Sequence, residues 1–459
     1  MNEQQASNRT KFWQSQDADH HLHPFTSHLE LRNRGVRMIT RGEGVYLYDS
    51  EGHKILDGMA GLWCTQIGYG NEELAEVAYK TMKELAYYNL FFNTSTPPAT
   101  ELAAKIAEKT PGDLNQILFA CSGSEAVDSA YKLIKYYWNL KGQPNRKQFV
   151  AREGAYHGST TVAASLSGLS GMHPQFDLPL PGIHHVSPTP HWYKFGGDMT
   201  PKAFTDHCVA AVEAKFLELG PENVAAFVGE PVMGAGGMMP PPPGYWPKIE
   251  ALCRKHGILL WADEVICGWG RTGEWFGSDY YGITPDVMTM AKGLSSGYQP
   301  ISAVAMGGDL AHQIAHSNEE MVHGFTYSGH PVAAAVALKN IEILERDGLV
   351  GEPAAPRCDY FAKQLATLSD HPLVGDIRTV GLLGALEMVK DKETRTAFDS
   401  DLNVGYICRE HCFNSGLIMR AVGDSMILCP PLIISEAEID ELVSKARTAL
   451  DLTAKQIGL

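Results

Sequence analysis

Short apolar runs that end abruptly on a polar residue constrain this chain more than any other feature. Residues 257–265 read GILLWADEV and residues 286–292 read DVMTMAK. Each is too uniformly apolar for a half-exposed strand, so each reads as a strand buried on both faces that emerges where its polar residue stands. Comparable runs, FVAREG at 149–154 and AAFVGEP at 225–231, alternate with helical stretches from about residue 60 to 330. That alternation predicts an α/β domain built on a mostly parallel sheet. Two strand ends then present Asp263 and Lys292, 29 positions apart. An acid and an amine delivered side by side suit pyridoxal phosphate: the amine can hold the aldehyde as a Schiff base, and the carboxylate can keep the pyridine nitrogen protonated so that the ring absorbs carbanion electrons.

Residues 115–140, NQILFACSGSEAVDSAYKLIKYYWNL, add a strand-like run, a Ser-Gly-Ser turn, and apolar residues at helical spacing from Ala126 to Tyr137. The turn Ser122-Gly123-Ser124 therefore opens a helix. Free N–H groups, the positive end of the helix dipole and two hydroxyls make it a seat for a phosphate dianion, while a plain N-cap at Ser122 or Ser124 is the simpler alternative. The loop Ala155-Tyr156-His157-Gly158 brings an aromatic that could lie on a cofactor ring and an imidazole that could bond its edge.

Taken together, SGSEA, YHGST, GEPVMGAGG, WADEVICGWGRTG, AKGLSSGYQP and HGFTYSGHP resemble the class III, or omega, aminotransferases, which are fold type I pyridoxal-phosphate enzymes. The resemblance runs from about Pro24 to about Glu441. The strings DGMAGLWC at 57–64 and LIMRAVGD at 417–424 bring it nearest to amine and omega-amino-acid:pyruvate transaminases. It implies a homodimer, or a dimer of dimers, with sites at the subunit interface. It further implies that Thr326 reaches the phosphate of the neighbouring subunit's cofactor, that Val265 packs the ring face opposite Tyr156, and that Glu230 supports the pocket. Trp63, Phe92 and Tyr156 are expected to wall a substrate pocket suited to apolar or aromatic amines. In members of the family that use 2-oxoglutarate, an Arg precedes the Leu-x-Pro-Pro string and a Glu follows the GEP turn. Here those places hold Ile427 and Ala235. Arg420 is then the candidate to grip a substrate carboxylate bidentately and to swing away from donors that lack one. The expected reaction moves an amino group from an amine or omega-amino acid to pyruvate, with other class III chemistry, including use of 2-oxoglutarate or an aminomutase, as the alternative.

Composition sets bounds on partners. A formal charge of −15 with no basic stretch argues against nucleic acid and anionic membranes. The nine cysteines show no C-x-x-C and no metal or disulfide spacing, so they read as reduced thiols of a cytoplasmic protein. The polar opening segment carries no run suited to a signal peptide, and nothing approaches the length needed to span a bilayer. His20, His21 and His23 lack evident supporting partners, so no metal is expected.

Residues 44–58 alternate around Ser50-Glu51-Gly52-His53 as a β-hairpin does. The expected division is an N-terminal segment and hairpin at 1–60, a large cofactor-binding domain at 61–330, and a C-terminal portion at 331–459 that completes a small domain of strands and amphipathic helices. Two rivals fall away. Gly268-Trp-Gly-Arg-Thr-Gly273 matches the dinucleotide fingerprint of an NAD-dependent oxidoreductase, yet the aromatic, Gly-broken EWFGSDYYG that follows cannot open the long helix such a site needs. A cofactor-binding regulator would carry a DNA-binding module, for which neither length nor basic charge is present.

Overall fold

The computed structural model describes residues 3–459, with side-chain environments from residue 8 onward; the first two residues of the expected 1–60 segment lie outside it. Three sheets organise the chain. The first holds β1 (Ile39–Glu43), β2 (Tyr46–Asp49) and β3 (Lys54–Asp57). The hairpin read from the sequence is β2–β3, with Tyr46 opposite Leu56 and Tyr48 opposite Lys54. Its turn is held by the Asp49 carboxylate, which accepts from the N–H groups of Glu51 and His53.

The central sheet contains β4 (Gln116–Ala120), β5 (Gln148–Arg152), β6 (Ile183–Val186), β7 (Val224–Gly229), β8 (Leu259–Asp263), β9 (Val287–Met290) and β10 (Ser302–Met306), in the spatial order β4-β10-β9-β8-β7-β5-β6. Strands β9, β8, β7, β5 and β6 pair in parallel, whereas β10 runs antiparallel to both of its neighbours. All residues of β7, β8, β9 and β10 are buried, as expected of strands covered on both faces. The helix Gly123–Leu140 lays Ala126, Val127, Ala130, Leu133 and Ile134 onto one side of this sheet, and Tyr245–His256 covers the other with Trp246, Ile249 and Leu252.

The third sheet orders β11 (Val374–Val380), β12 (Leu383–Met388), β15 (Ser425–Leu428) and β14 (Arg420–Val422). The two ends of the chain meet through β13 (Leu417–Ile418), which joins the first sheet by pairing in parallel with β3. That pairing ties Leu56 to Leu417 and Asp57 to Ile418, so the hairpin and the C-terminal third are built together. All nine cysteines are free, and Cys408 and Cys412 are buried on one helix. Among the described residues no helix is long and apolar enough to cross a membrane.

The segment after the glycine-rich fingerprint forms only the five-residue helix Gly277–Tyr281. Its first N–H groups, on Gly277 and Ser278, are already taken by the buried Glu264 carboxylate, leaving no seat for a pyrophosphate.

Candidate active site

Parallel strands β8 and β9 end beside each other, with Asp263 in register with Thr289. The Asp263 carboxylate is buried and accepts from three donors: His157 Nδ1 at 2.6 Å, Thr289 Oγ1 at 3.1 Å and Val265 N at 3.2 Å. Buried carboxylates need such partners, because an unpaired one would incur several kcal/mol of desolvation. Lys292 follows two residues after β9 and turns into the same space with a backbone φ of 44°, the left-handed region that L-residues adopt only when their surroundings dictate it. Burial holds its ammonium below the ordinary lysine range, opposed by the Asp263 charge. The neutral amine is the form that attacks a carbonyl, and a lowered pKa favours it.

These groups line a cavity of about 130 Å³ with Gly123, Ser124, Tyr156, His157, Gly158, Glu230, Val265, Ile266 and Ala291. Gly123 opens the 18-residue helix Gly123–Leu140, so its end of the cavity carries the dipole's positive pole. The backbone there must stay bare: a Cβ on Gly123 would sit 3.1 Å from Val265 Cγ1, and one on Gly158 would sit 2.5 Å from Ser124 Oγ. The Glu230 carboxylate accepts from Tyr156 N at 3.0 Å and Gly234 N at 2.8 Å. It thereby fastens the Tyr156 loop to the turn after β7, and burial raises its pKa.

Two of the expected residues are engaged by partners within the protein. Ser122 was expected to offer its hydroxyl to a phosphate, but it is the N-cap of a capping box: its Oγ accepts from Glu125 N, and the Glu125 carboxylate takes the N–H groups of Cys121 and Ser122. Only Gly123 and Ser124 of that turn reach the cavity. His157, expected at a ring edge, lines the cavity; its Nδ1 is bonded to Asp263 and its buried Nε2 has no partner among the described residues. It acts on the carboxylate that faces the cavity.

Trp63, Phe92, Thr326 and Arg420 stand outside this cavity within one copy of the chain. Trp63, buried and with φ of 59°, lies beneath Arg420, whose guanidinium carbon is 4.9 Å from the ring centroid. Arg420 forms no ion pair among the described residues; Tyr156 is its nearest electrostatic influence, and burial lowers its pKa. The sequence did not foresee that Trp63 would share an apolar cluster with Met59, Val232, Met238, Ile266 and Ile427. Phe92 is 87% exposed, again with a left-handed backbone (φ 57°), and sits beside Phe91. Thr326 is exposed, its carbonyl accepting from the Tyr87 hydroxyl at 2.6 Å. Thr289 was also missed, although a lone hydroxyl inside VMTM is the kind of signal that marks an inward-facing polar partner. The N-terminal histidines do have a partner that sequence reading overlooked: the Asp17 carboxylate lies 3.1 Å from His21 Nδ1 and 2.9 Å from His23 Nε2. Phe25, just beyond, places its ring edge against Tyr156 at a centroid distance of 6.4 Å.

An amine, a buried carboxylate and a bare helix N-terminus around one cavity match the aldehyde, the pyridinium nitrogen and the phosphate of pyridoxal phosphate, so the residues fit that group. Known proteins lead to the same chemistry. Residues 31–450 match the model of class III aminotransferases. The chain is 52% identical to the putrescine–pyruvate aminotransferase of Pseudomonas aeruginosa over the whole length of both, and 40% identical to the diaminobutyrate–2-oxoglutarate transaminase of Halomonas elongata over 90% of each. Its fold superimposes on the omega transaminase of Pseudomonas jessenii in complex with PMP with a TM-score of 0.95, at 42% identity and covering 97% of this chain and 99% of that one. An (S)-enantioselective omega-transaminase from Thermomicrobium roseum gives 0.94 at 42% identity, covering 96% and 98%. With a family match over this span and a relative this similar from end to end, the chain belongs to the class III aminotransferases, enzymes whose cofactor is pyridoxal phosphate.

Proposed function

We propose that the enzyme is an omega-transaminase that passes an amino group from a primary amine or omega-amino acid to pyruvate by a ping-pong mechanism, the first product leaving before the second substrate binds. The observation that carries the reading is the guanidinium of Arg420, which has no ion pair among the described residues and lies over Trp63, whose apolar cluster includes Ile427; Ala235 is buried and apolar as well. One carboxylate clamp without a second fixed cation suits a short monocarboxylic keto acid better than a dicarboxylic one. The 52% identity to a putrescine–pyruvate enzyme supports the same choice.

When bound, pyridoxal phosphate supplies an electron sink for the carbon that carries the amino group. The chain's residues do the rest. Gly123 and Ser124 would present N–H groups to the cofactor's phosphate. Asp263, held by His157 and Thr289, would fix a negative charge for the ring nitrogen. Tyr156 and Val265, which line the same cavity, would pack against the ring. Lys292 Nζ would take the proton from the donor's amine-bearing carbon as a base and give it to the cofactor's aldehyde carbon as an acid, and in the acceptor half-reaction would move it the opposite way. Arg420 grips the keto acid's carboxylate and, lying on an aromatic face instead of in an ion pair, can withdraw when an apolar amine enters.

The exposed strip of Tyr87, Tyr88, Phe91, Phe92 and Tyr327 is the surface on which a second copy would sit, bringing Phe92 and Thr326 to the partner's site in a homodimer. Steady-state assays with pyruvate and 2-oxoglutarate, on the parent enzyme and on Arg420→Ala, test the acceptor. Pyruvate should be the faster, and Arg420→Ala should lose that reaction. Faster turnover with 2-oxoglutarate, or unchanged pyruvate kinetics in the variant, refutes the proposal.

A further inference from the structure

Lys292 stands in a left-handed conformation at the start of a tight turn, with Leu294 N bonded to Ala291 O at 2.9 Å and Ser295 N to Lys292 O at 3.3 Å. A non-glycine residue in this region is strained, so the turn must be held from outside. The hold comes from Asn340. It is the only polar residue among the buried positions of the helix Pro331–Arg346, and it is fully buried. Its Nδ2 donates to Gly293 O at 2.8 Å and to Leu294 O at 3.0 Å, and its Oδ1 accepts from Ser296 Oγ at 2.6 Å. All three bonds thus fall one, two and four residues after Lys292. Ser296 Oγ in turn accepts from Ile67 N at 3.4 Å. The opposite side is closed as well: a Cβ on Gly293 would lie 2.0 Å from Gln66 Nε2 and 2.9 Å from Trp269 Cβ.

A leucine would fill the Asn340 site without the desolvation that a buried amide incurs. Packing alone does not explain the residue, and its bonds converge on one turn. We propose that Asn340 is a positioning residue for Lys292: by fixing the turn it sets where Nζ points across the cavity, and so the rate at which the lysine moves a proton. The inference rests on the reading of Lys292 as the proton-carrying lysine.

The test compares Asn340→Leu, which removes all three bonds, and Ser296→Ala, which removes one of them together with the bond from Ile67 N, with Ile341→Ala, a cavity in the apolar core on the same helix. The readouts on holoenzyme are kcat and KM, thermal midpoint, the pH midpoint of the visible absorption band, and borohydride reduction followed by peptide mapping. Asn340→Leu should lower kcat roughly 10- to 100-fold with KM changed less than about twofold, as a misdirected catalytic group does. It should also shift the absorption midpoint, with Ser296→Ala moving both in the same direction by less. Ile341→Ala should lose thermal stability but keep kcat and the absorption midpoint. Label on Lys292 with an unmoved midpoint in Asn340→Leu overturns the inference, as does a kcat loss in Ile341→Ala equal to that in Asn340→Leu. Label on another lysine overturns the assignment of Lys292 itself.

Discussion

Replacing Asp263 with Asn is the most exacting perturbation of the site, because it keeps the shape and removes only a charge. The carboxylate accepts from His157, Thr289 and Val265 within 3.2 Å and is sealed from solvent. An amide oxygen can retain the bonds from Thr289 and Val265, whereas the amide N–H₂ turns a donor toward His157 and forces it to present an acceptor. Opposite a protonated ring nitrogen at ~4 Å, one unit of charge is worth about 4 kcal/mol at an effective dielectric near 20. At 1.36 kcal/mol per decade that is roughly a 10³-fold loss in turnover. The assay is a single-turnover reaction of cofactor-saturated enzyme with an amine donor and no acceptor, with the thermal midpoint measured in parallel. A loss below about tenfold at full cofactor occupancy would refute the electrostatic argument. A fall in thermal midpoint large enough to leave the protein partly unfolded at assay temperature would assign the loss to folding instead.

Trp63→Ala should weaken an aryl-alkyl amine more than a small amino acid, since the ring contributes contact area and supports Arg420; equal effects on both substrates in parallel kcat/KM assays would show a general stability defect. Gly158→Ala should weaken cofactor retention, measured by dialysis and absorbance, because the backbone φ is 136° and the new Cβ would stand 2.5 Å from Ser124 Oγ and 2.8 Å from Ala163 Cβ; retention equal to the parent's would mean that the phosphate end tolerates a shift. His191 is buried beside the Arg378 and Lys194 charges, and burial followed by those charges pushes its pKa down from 6.5 to about 2. Its folded value is depressed, so the native state keeps it neutral while the unfolded chain gains a proton as pH falls below 6.5. Stability should therefore decline by about 1.4 kcal/mol per pH unit on the acid side, reaching about 3 kcal/mol near pH 4.5. Urea denaturation of His191→Gln at pH 7 and pH 4.5 should show a flatter dependence than the parent, and parallel curves would refute the assignment.

The amino-acid sequence by itself determined the alternation of buried strands and helices, the hairpin within 44–58, and the grouping of Asp263, Lys292, Gly123 and Tyr156, which line one cavity. These are local signals: burial on both faces demands continuous apolar runs, a turn before a helix demands small polar residues, and strand ends expose whatever polar residue terminates the run. The fates of Ser122 and His157 were decided by competition. Ser122 Oγ had Glu125 N within its own helix turn, and His157 Nδ1 found Asp263 only because β8 and the 155–158 loop close on each other in space. The reversed direction of β10, the pairing of β13 with β3, and the grip of Asn340 on the Lys292 turn were likewise invisible in one dimension. The strand pairings and the Asn340 bonds depend on groups far apart in the chain, up to the 361 positions between the register partners Leu56 and Leu417, being brought together by packing. A hydrophobic period reports which face of an element is buried. Only the tertiary structure decides which polar groups it is buried against.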